Sequence, residues 1–284
     1  MTQPHEVTTA ADSINAIKCK LAKGQPVLGI WSIIPSPMVV EILSLSGFDF
    51  AILDMEHGVF DLTSLDACIR AVEVVGKAPL VRIPGMNPSA AQWALDLGAH
   101  GIVVPQVRDA QDAAAVVDIV KYAPEGKRGF NPFTRSANYA NPVNNRSGKL
   151  NNEFSLTCVI IESVSALADL DAICLTQSID VIYMGIYDLA VALGVNGDTR
   201  HPRVVEVVER SIPRIRAAGK AAGMMVLNSS DITRALSLGA NFLVYGVDSF
   251  LIRDAASRAV DTLSCELHKI STRTETDPKN NESS

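Results

Sequence analysis

Four short segments carry the side chains best suited to chemistry: LDMEHG at 53–58, LVRIP at 80–84, VIIES at 159–163 and MGIYDLA at 184–190. In each, a polar residue interrupts or ends an apolar run. The first supplies Asp54, Glu56 and His57; the others supply Arg82, Glu162 and Asp188. Glu162 and Asp188 are hard oxygen donors. Converging with water and substrate oxygens, they suit an octahedral Mg2+ or Mn2+ site. Without a cation, two carboxylates that close repel and one takes up a proton. Arg82 offers a planar fork for a substrate carboxylate. His57 is the histidine at a strand end, where it can move a proton near neutral pH. Asp54 and Glu56 read as residues behind this set, and Asp54 equally suits a subunit contact. Together the group would hold a 2-oxo acid by its carboxylate and ketone, with the cation stabilising a developing enolate.

Each residue also has a structural reading. Glu162 and Asp188 could start helices, Arg82 could be an ion-pair partner inside a barrel mouth, and His57 a hydrogen-bonded core histidine. Four such coincidences at four strand ends are far less expected than one.

The elements that must position these residues are legible in the alternation of apolar runs with helical-period segments. Eight runs read as strands: 26–31, 48–55, 78–84, 101–105, 157–163, 180–185, 221–226 and 241–247. The intervening segments are amphipathic; Met38, Val39, Ile42 and Leu43 read as one apolar face, and Leu189, Ala192 and Leu193 as another. Eight strand–helix repeats predict an α/β fold, a (β/α)8 TIM barrel, with an open doubly wound sheet as the other arrangement of the same units. In a barrel, the C-terminal strand ends are where chemistry sits. An extra N-terminal helix at about 13–23 is expected to plug the barrel bottom. The expected organisation is a flexible N-terminus at 1–12, one barrel domain at 13–270 and a disordered tail at 271–284, STRTETDPKNNESS, which is read as having no apolar residue. A long polar connection at 128–153, carrying Phe130, Phe133 and Tyr139, is expected to dock on something.

The chain has 284 residues, 48% hydrophobic and 20% charged, with a formal net charge of −6. That composition fits a globular protein and gives no support to nucleic-acid or membrane binding. Five cysteines without CxxC spacing read as reduced residues of a cytoplasmic protein. Lys220 precedes the seventh strand, on the wrong rim for a Schiff base, so a lysine aldolase is disfavoured. Neither GxGxxG nor GxxxxGK[ST] occurs, so no nucleotide cofactor is expected, nor is PLP.

LDMEHG, LVRIP, the glutamate of VIIES, GIYDLAVALG and the late VYGVD stretch together resemble the HpcH/HpaI aldolase family, in order, from about Gly24 to Ala259. The resemblance implies a metal-dependent (class II) aldolase of 2,4-dihydroxyhept-2-ene-1,7-dioate aldolase type, a lyase acting on a 2-oxo acid and an aldehyde. It places Glu162 and Asp188 on the metal carboxylates and Arg82 beside the keto acid. His57 falls on the histidine that works with a metal-bound water as base, and Asp96 on the aspartate that partners it. Backbone N–H groups from Gly185 to Asp188, beside Tyr187, would contact the pyruvate carboxylate. It also implies a homo-oligomer, a hexamer or trimer of dimers, whose subunits exchange the last helix, here about Phe250 to Leu267.

The chain departs from the family where many members have glutamine and this one has Ile160, where GPAD is replaced by GIYD, and in the 128–153 connection. These departures keep two other readings open. One is a Claisen-type, citrate-synthase-like condensing enzyme using oxaloacetate and an acyl-CoA; the other is a non-catalytic binding barrel.

Overall fold

In the computed structural model, which describes residues 10–141 and 148–276, the eight expected strands are all present. They are β1 (Val27–Ser32), β2 (Phe50–Asp54), β3 (Ala78–Arg82), β4 (Gly101–Val104), β5 (Leu156–Ile161), β6 (Val181–Met184), β7 (Ala221–Val226) and β8 (Phe242–Val247). All pair in parallel in chain order, and β8 closes on β1. The sheet is therefore a closed (β/α)8 barrel, not an open doubly wound sheet.

The pleat sorts each strand's residues into two sets. One set, including Ile30, Leu53, Val81, Ile161 and Ile182, packs outward against the helices. The other fills the lumen: Val27, Trp31, Phe50, Ile52, Leu80, Cys158, Ile160, Tyr183 and Phe242. Asp54, Arg82 and Glu162 are in phase with this second set, two residues beyond Ile52, Leu80 and Ile160. Period two thus delivers them to the top of the lumen. The lumen floor is closed by the helix Ala10–Ala22, whose Ile14, Ile17 and Leu21 join the same cluster. This is the expected plug, beginning three residues earlier than predicted.

Lumen packing is tight enough to dictate a glycine. A Cβ on Gly29 would lie 2.0 Å from Cε2 of Phe50, whose ring stacks on Phe242 at 4.4 Å between centroids.

Several expectations about the helices change. In the helix Pro37–Leu45, Val40 and Ser44 are buried, whereas Met38 and Ile42 stand exposed. PMVVEILSL is apolar nearly all round, so its period does not choose a face. Leu189 and Ala190, not Ala192, bury the helix Ile186–Ala192. The last helix runs from Asp248 to Thr276, so the boundary expected at 271 falls inside it; residues 1–9 and 277–284 lie outside the described residues. The 128–153 connection joins the helix Ala110–Val120 to β5, so it lies at the N-terminal rim, below the barrel. It contains a 3-10 turn at Arg135–Ala140 and a helix at Gly148–Phe154; residues 142–147 lie outside the described residues. Phe130, Phe133 and Tyr139 are exposed there.

A prediction follows from the floor of the lumen. Gly29→Ala forces Phe50 off its position and should cost about 2 kcal/mol of overpacking strain. Urea denaturation measures the loss, and Phe50→Leu in the same background should return part of it.

Candidate active site

The site is built on a fixed ion pair. Asp54, 1% exposed, sits at the end of β2 beside Arg82 at the end of β3, the two being register partners. Arg82 Nε donates to Asp54 Oδ1 at 2.8 Å, Nη2 donates to Oδ2, and Nη1 lies 3.1 Å from Glu56 Oε2. The guanidinium also sits 4.4 Å over the Trp31 ring. Burial alone would make Arg82 easier to deprotonate, but its bonds and charges from Asp54 and Glu56 win and hold it more firmly protonated. Asp54 Oδ1 further accepts the backbone N–H groups of Glu56 and His57, at 2.9 and 3.2 Å. One carboxylate therefore fixes both the arginine and the turn that presents His57. The His57 side chain itself is 66% exposed, with Nε2 3.9 Å from Glu56 Oε2.

Across the mouth, Glu162 follows β5 and Asp188 lies in the first turn of the helix after β6. Glu162 Oε1 accepts the backbone N–H of Gln106 at 2.6 Å. Gln106 adopts a left-handed backbone at φ 60° and donates its side-chain amide to Glu56 at 3.0 Å. This residue, missed in the sequence, bridges the two acidic groups. Its signal was faint: a polar residue directly after the β4 run. Gly185 supplies room, since a Cβ there would lie 2.9 Å from both Ile160 Cγ2 and Glu162 Cβ, and 3.0 Å from Glu162 Oε2. The helix Ile186–Ala192 has no side-chain cap. Its first-turn N–H groups therefore lack intrahelical partners.

These residues line two adjoining cavities. One, of about 640 Å3, is walled by Trp31, Asp54, Arg82, Ile160 and Tyr187 among others; the second, of about 550 Å3, by Glu56, Gln106 and Arg108. His57, Glu162 and Asp188 line both. Four carboxylates thus share the mouth with Arg82, while Arg108 is tied to Asp112 at 2.7 Å. Burial, together with the charges of Asp188 and Glu56, pushes Glu162 up to about 7.

Asp96 does not join this group within one chain. It ends the helix Pro88–Asp96, at the opposite rim, and pairs with Arg128 at 2.5 Å. Within one chain the expected partnership with His57 is not made, because helix and strand run antiparallel and a helix C-terminus lands below the barrel. Among its described residues, the 128–153 connection supplies none to either cavity. Asp248, at the end of β8, is a brace: it accepts from Ser32 Oγ at 2.7 Å and from the N–H groups of Ile33 and Ile34.

A barrel with an acidic mouth of this kind has relatives. Residues 28–255 match the family model described as HpcH/HpaI aldolase/citrate lyase. The chain belongs to this family. A 2-keto-3-deoxy-L-rhamnonate aldolase of Klebsiella pneumoniae subsp. pneumoniae is 36% identical over 86% of this chain and 91% of its own. A 5-keto-4-deoxy-D-glucarate aldolase of Salmonella paratyphi C is 35% identical over 87% and 96%. Among solved structures, the citrate synthase SbnG superposes with a TM-score of 0.79 at 28% identity, over 88% of this chain and 98% of that one. Membership of the family with aldolases at this identity makes the chain an enzyme, a lyase, and removes the non-catalytic reading.

The acidic mouth has a measurable consequence. Glu162 holds its proton up to about pH 7 in the folded chain, against about 4.3 for an unfolded glutamate. Folding is therefore penalised increasingly as pH rises between those values. The melting temperature of EDTA-treated protein should fall from about pH 5 to pH 7. Glu162→Gln should flatten that slope, whereas an unchanged slope would remove Glu162 as its source.

Proposed function

We propose that the chain is a divalent-cation-dependent aldolase that cleaves or forms 4-hydroxy-2-oxo acids through a pyruvate-type enolate. The observation that carries this reading is the convergence of Glu162 and Asp188 on a mouth rich in carboxylates. The donor set fits Mg2+ or Mn2+. Glu162 Oε2 is left to the cavity, Gly185 leaves space beside it, and both donors are hard oxygens. Among the described residues no three His, Cys, Asp or Glu side chains form a cage, which suits an ion that also takes substrate and water oxygens. When bound, the ion would supply positive charge at the oxo and carboxylate oxygens of the substrate.

The chain's own residues would do the rest. Arg82, locked in orientation by Asp54 and Glu56, still has N–H donors free of those bonds to offer the substrate's oxygens. First-turn N–H groups at Ile186 to Asp188 would receive the substrate carboxylate. His57, presented by Asp54, would take the 4-hydroxyl proton. As that proton leaves, the C4–O bond becomes a carbonyl, C3–C4 breaks, and its electron pair passes to C3 and the 2-oxo group. The aldehyde departs, and protonation at C3 yields pyruvate. Tyr187 and Ile160, facing the cavity, would shape the aldehyde half.

A second reading has its own support. The similarity to a citrate synthase, and a cavity with Tyr187 and Ile160 where an amide is common, favour a Claisen condensation of an acyl-CoA with oxaloacetate. Free thiol release from acetyl-CoA and oxaloacetate would single it out.

Two further features complete the proposal. Val260, Leu263, Leu267 and Ile270 stand exposed on the last helix at spacings of three, four and three, a seam suited to another helix. A homo-oligomer built on an exchanged last helix would cover it. A cytoplasmic setting suits five free cysteines, and among the described residues no helix is long and apolar enough to cross a membrane.

Pyruvate release from a panel of 4-hydroxy-2-oxo acids tests the activity. EDTA should abolish it, and Mg2+ or Mn2+ should restore it; release undiminished by EDTA would contradict the cation's role. Light scattering tests the seam. The wild type should be oligomeric, and Leu263→Asp with Leu267→Asp should reduce its mass, whereas an unchanged mass would place the contact elsewhere.

A further inference from the structure

Cleavage takes a proton from the 4-hydroxyl and needs another at C3, and none of the residues placed so far supplies it. Asp54 and Glu56 are bonded to Arg82, Glu162 and Asp188 are the proposed ion ligands, and His57 receives the hydroxyl proton. One group in the cavity wall remains. Tyr183 stands on β6, 4% exposed, and lines the larger cavity together with Arg82 and Glu162. It is the register partner of Ile160 and lies one pleat step below Gly185, as Ile160 lies below Glu162. The phenol is therefore in the floor on which the reacting centre rests.

The surroundings of this phenol are specific. Gly223 on β7 makes room for its ring, since a Cβ there would lie 2.6 Å from Tyr183 Cδ2. Trp31 meets the ring edge-on, with centroids 5.8 Å apart, and its indole N–H donates to the Tyr183 oxygen at 3.3 Å. The same indole carries the Arg82 guanidinium over its face, so the phenol is one ring away from the group offered to the substrate's oxygens. The Tyr183 hydroxyl accepts from Trp31, and among the described residues it donates its own proton to no acceptor. Burial holds the phenol above the usual tyrosine range, against the Trp31 hydrogen bond and the charge of Arg82, which both favour the phenolate. The proton is thus in place at any working pH, and the oxygen it leaves behind is supported.

We propose that Tyr183 is the acid that protonates C3 of the enolate from the floor of the cavity. This rests on the aldolase reading and adds a catalytic residue to it. With the substrate's oxygens held above, by Arg82 and the N–H groups at Ile186 to Asp188, C3 faces the floor. The Tyr183 O–H bond breaks and its proton bonds to C3 through the electron pair of the C2–C3 double bond. The enolate oxygen returns to a carbonyl as that pair leaves. The phenolate keeps the Trp31 N–H and regains a proton from water once pyruvate departs. In the condensing direction the same oxygen takes a proton from the pyruvate methyl group.

Exchange of the pyruvate methyl protons with D2O isolates this step, because it involves no aldehyde and no carbon–carbon bond. Proton NMR follows it in the Mg2+-loaded wild type, Tyr183→Phe and Trp31→Phe, at saturating pyruvate. Tyr183→Phe keeps the ring against Gly223 and loses only the hydroxyl. Its exchange rate should fall about a hundredfold, the scale of a general acid. Its pyruvate dissociation constant and melting temperature should stay close to those of the wild type. Trp31→Phe keeps the acid and removes the N–H that supports its oxygen, so its rate should fall by a smaller factor. That variant decides the matter if Tyr183→Phe does not fold, and a rate equal to the wild type's in either variant would overturn the proposal. A fall in Tyr183→Phe matched by an equal loss of pyruvate affinity would make Tyr183 a packing residue and overturn it too. So would a wild type that cleaves 4-hydroxy-2-oxo acids without exchanging the methyl protons. A wild type that neither exchanges nor cleaves, with or without Mg2+, would overturn the aldolase reading beneath it.

Discussion

The pair between Asp54 and Arg82 is the constraint on which the site depends. It joins the ends of adjacent strands in register, so barrel closure itself brings the two together. It also leaves Arg82 committed. Held by Asp54 and Glu56, the guanidinium is not free to swing across and neutralise Glu162 and Asp188. The acidic side of the mouth therefore stays acidic. Because Asp54 also holds the backbone of Glu56 and His57, the proton-transfer candidate is placed by the same carboxylate that restrains the arginine. Such an arrangement is costly for an empty protein and favourable for one that binds a cation: burying carboxylates together raises Glu162, and charge supplied from outside relieves it.

Much of this was legible in the sequence, for a simple physical reason. Parallel strands buried on both faces read as unbroken apolar runs, and a charged residue at the end of one run has few structural excuses. Asp54, Arg82 and Glu162 also keep the two-residue phase of Ile52, Leu80 and Ile160, so their arrival in the lumen follows from the pleat. The pattern carries no information about hydrogen bonds made by the main chain. Gln106 acts through its own N–H in a left-handed conformation, and nothing in PQVRD announces that. Asp248 also follows a strand run, yet the N–H groups of the loop after β1, more than two hundred residues earlier in the chain, occupy it. Asp96 ends its helix at the rim opposite His57 of the same chain, and the sequence pattern says nothing of which residues another subunit would bring to that rim.

The two rims divide the labour of the fold. Below, the helix Ala10–Ala22 seals the lumen, and Arg128 and Arg135 secure Asp96 and Glu73. Above, the loops stay short, so the reactive groups sit on strand ends or within a few residues of them. That separation explains why the connection between the helix Ala110–Val120 and β5 leaves the mouth intact, whereas Ile160 and Tyr187 line the cavity itself.

Mn2+ binding, followed by electron paramagnetic resonance on EDTA-stripped protein, tests the central claim most directly. The account predicts one tightly held ion per chain in the wild type, loss of that ion in Glu162→Gln, and weakened binding in Asp54→Asn, where Arg82 is released toward the remaining carboxylates. A wild type that binds no Mn2+, or a Glu162→Gln variant that binds it as tightly as the wild type, would contradict the account.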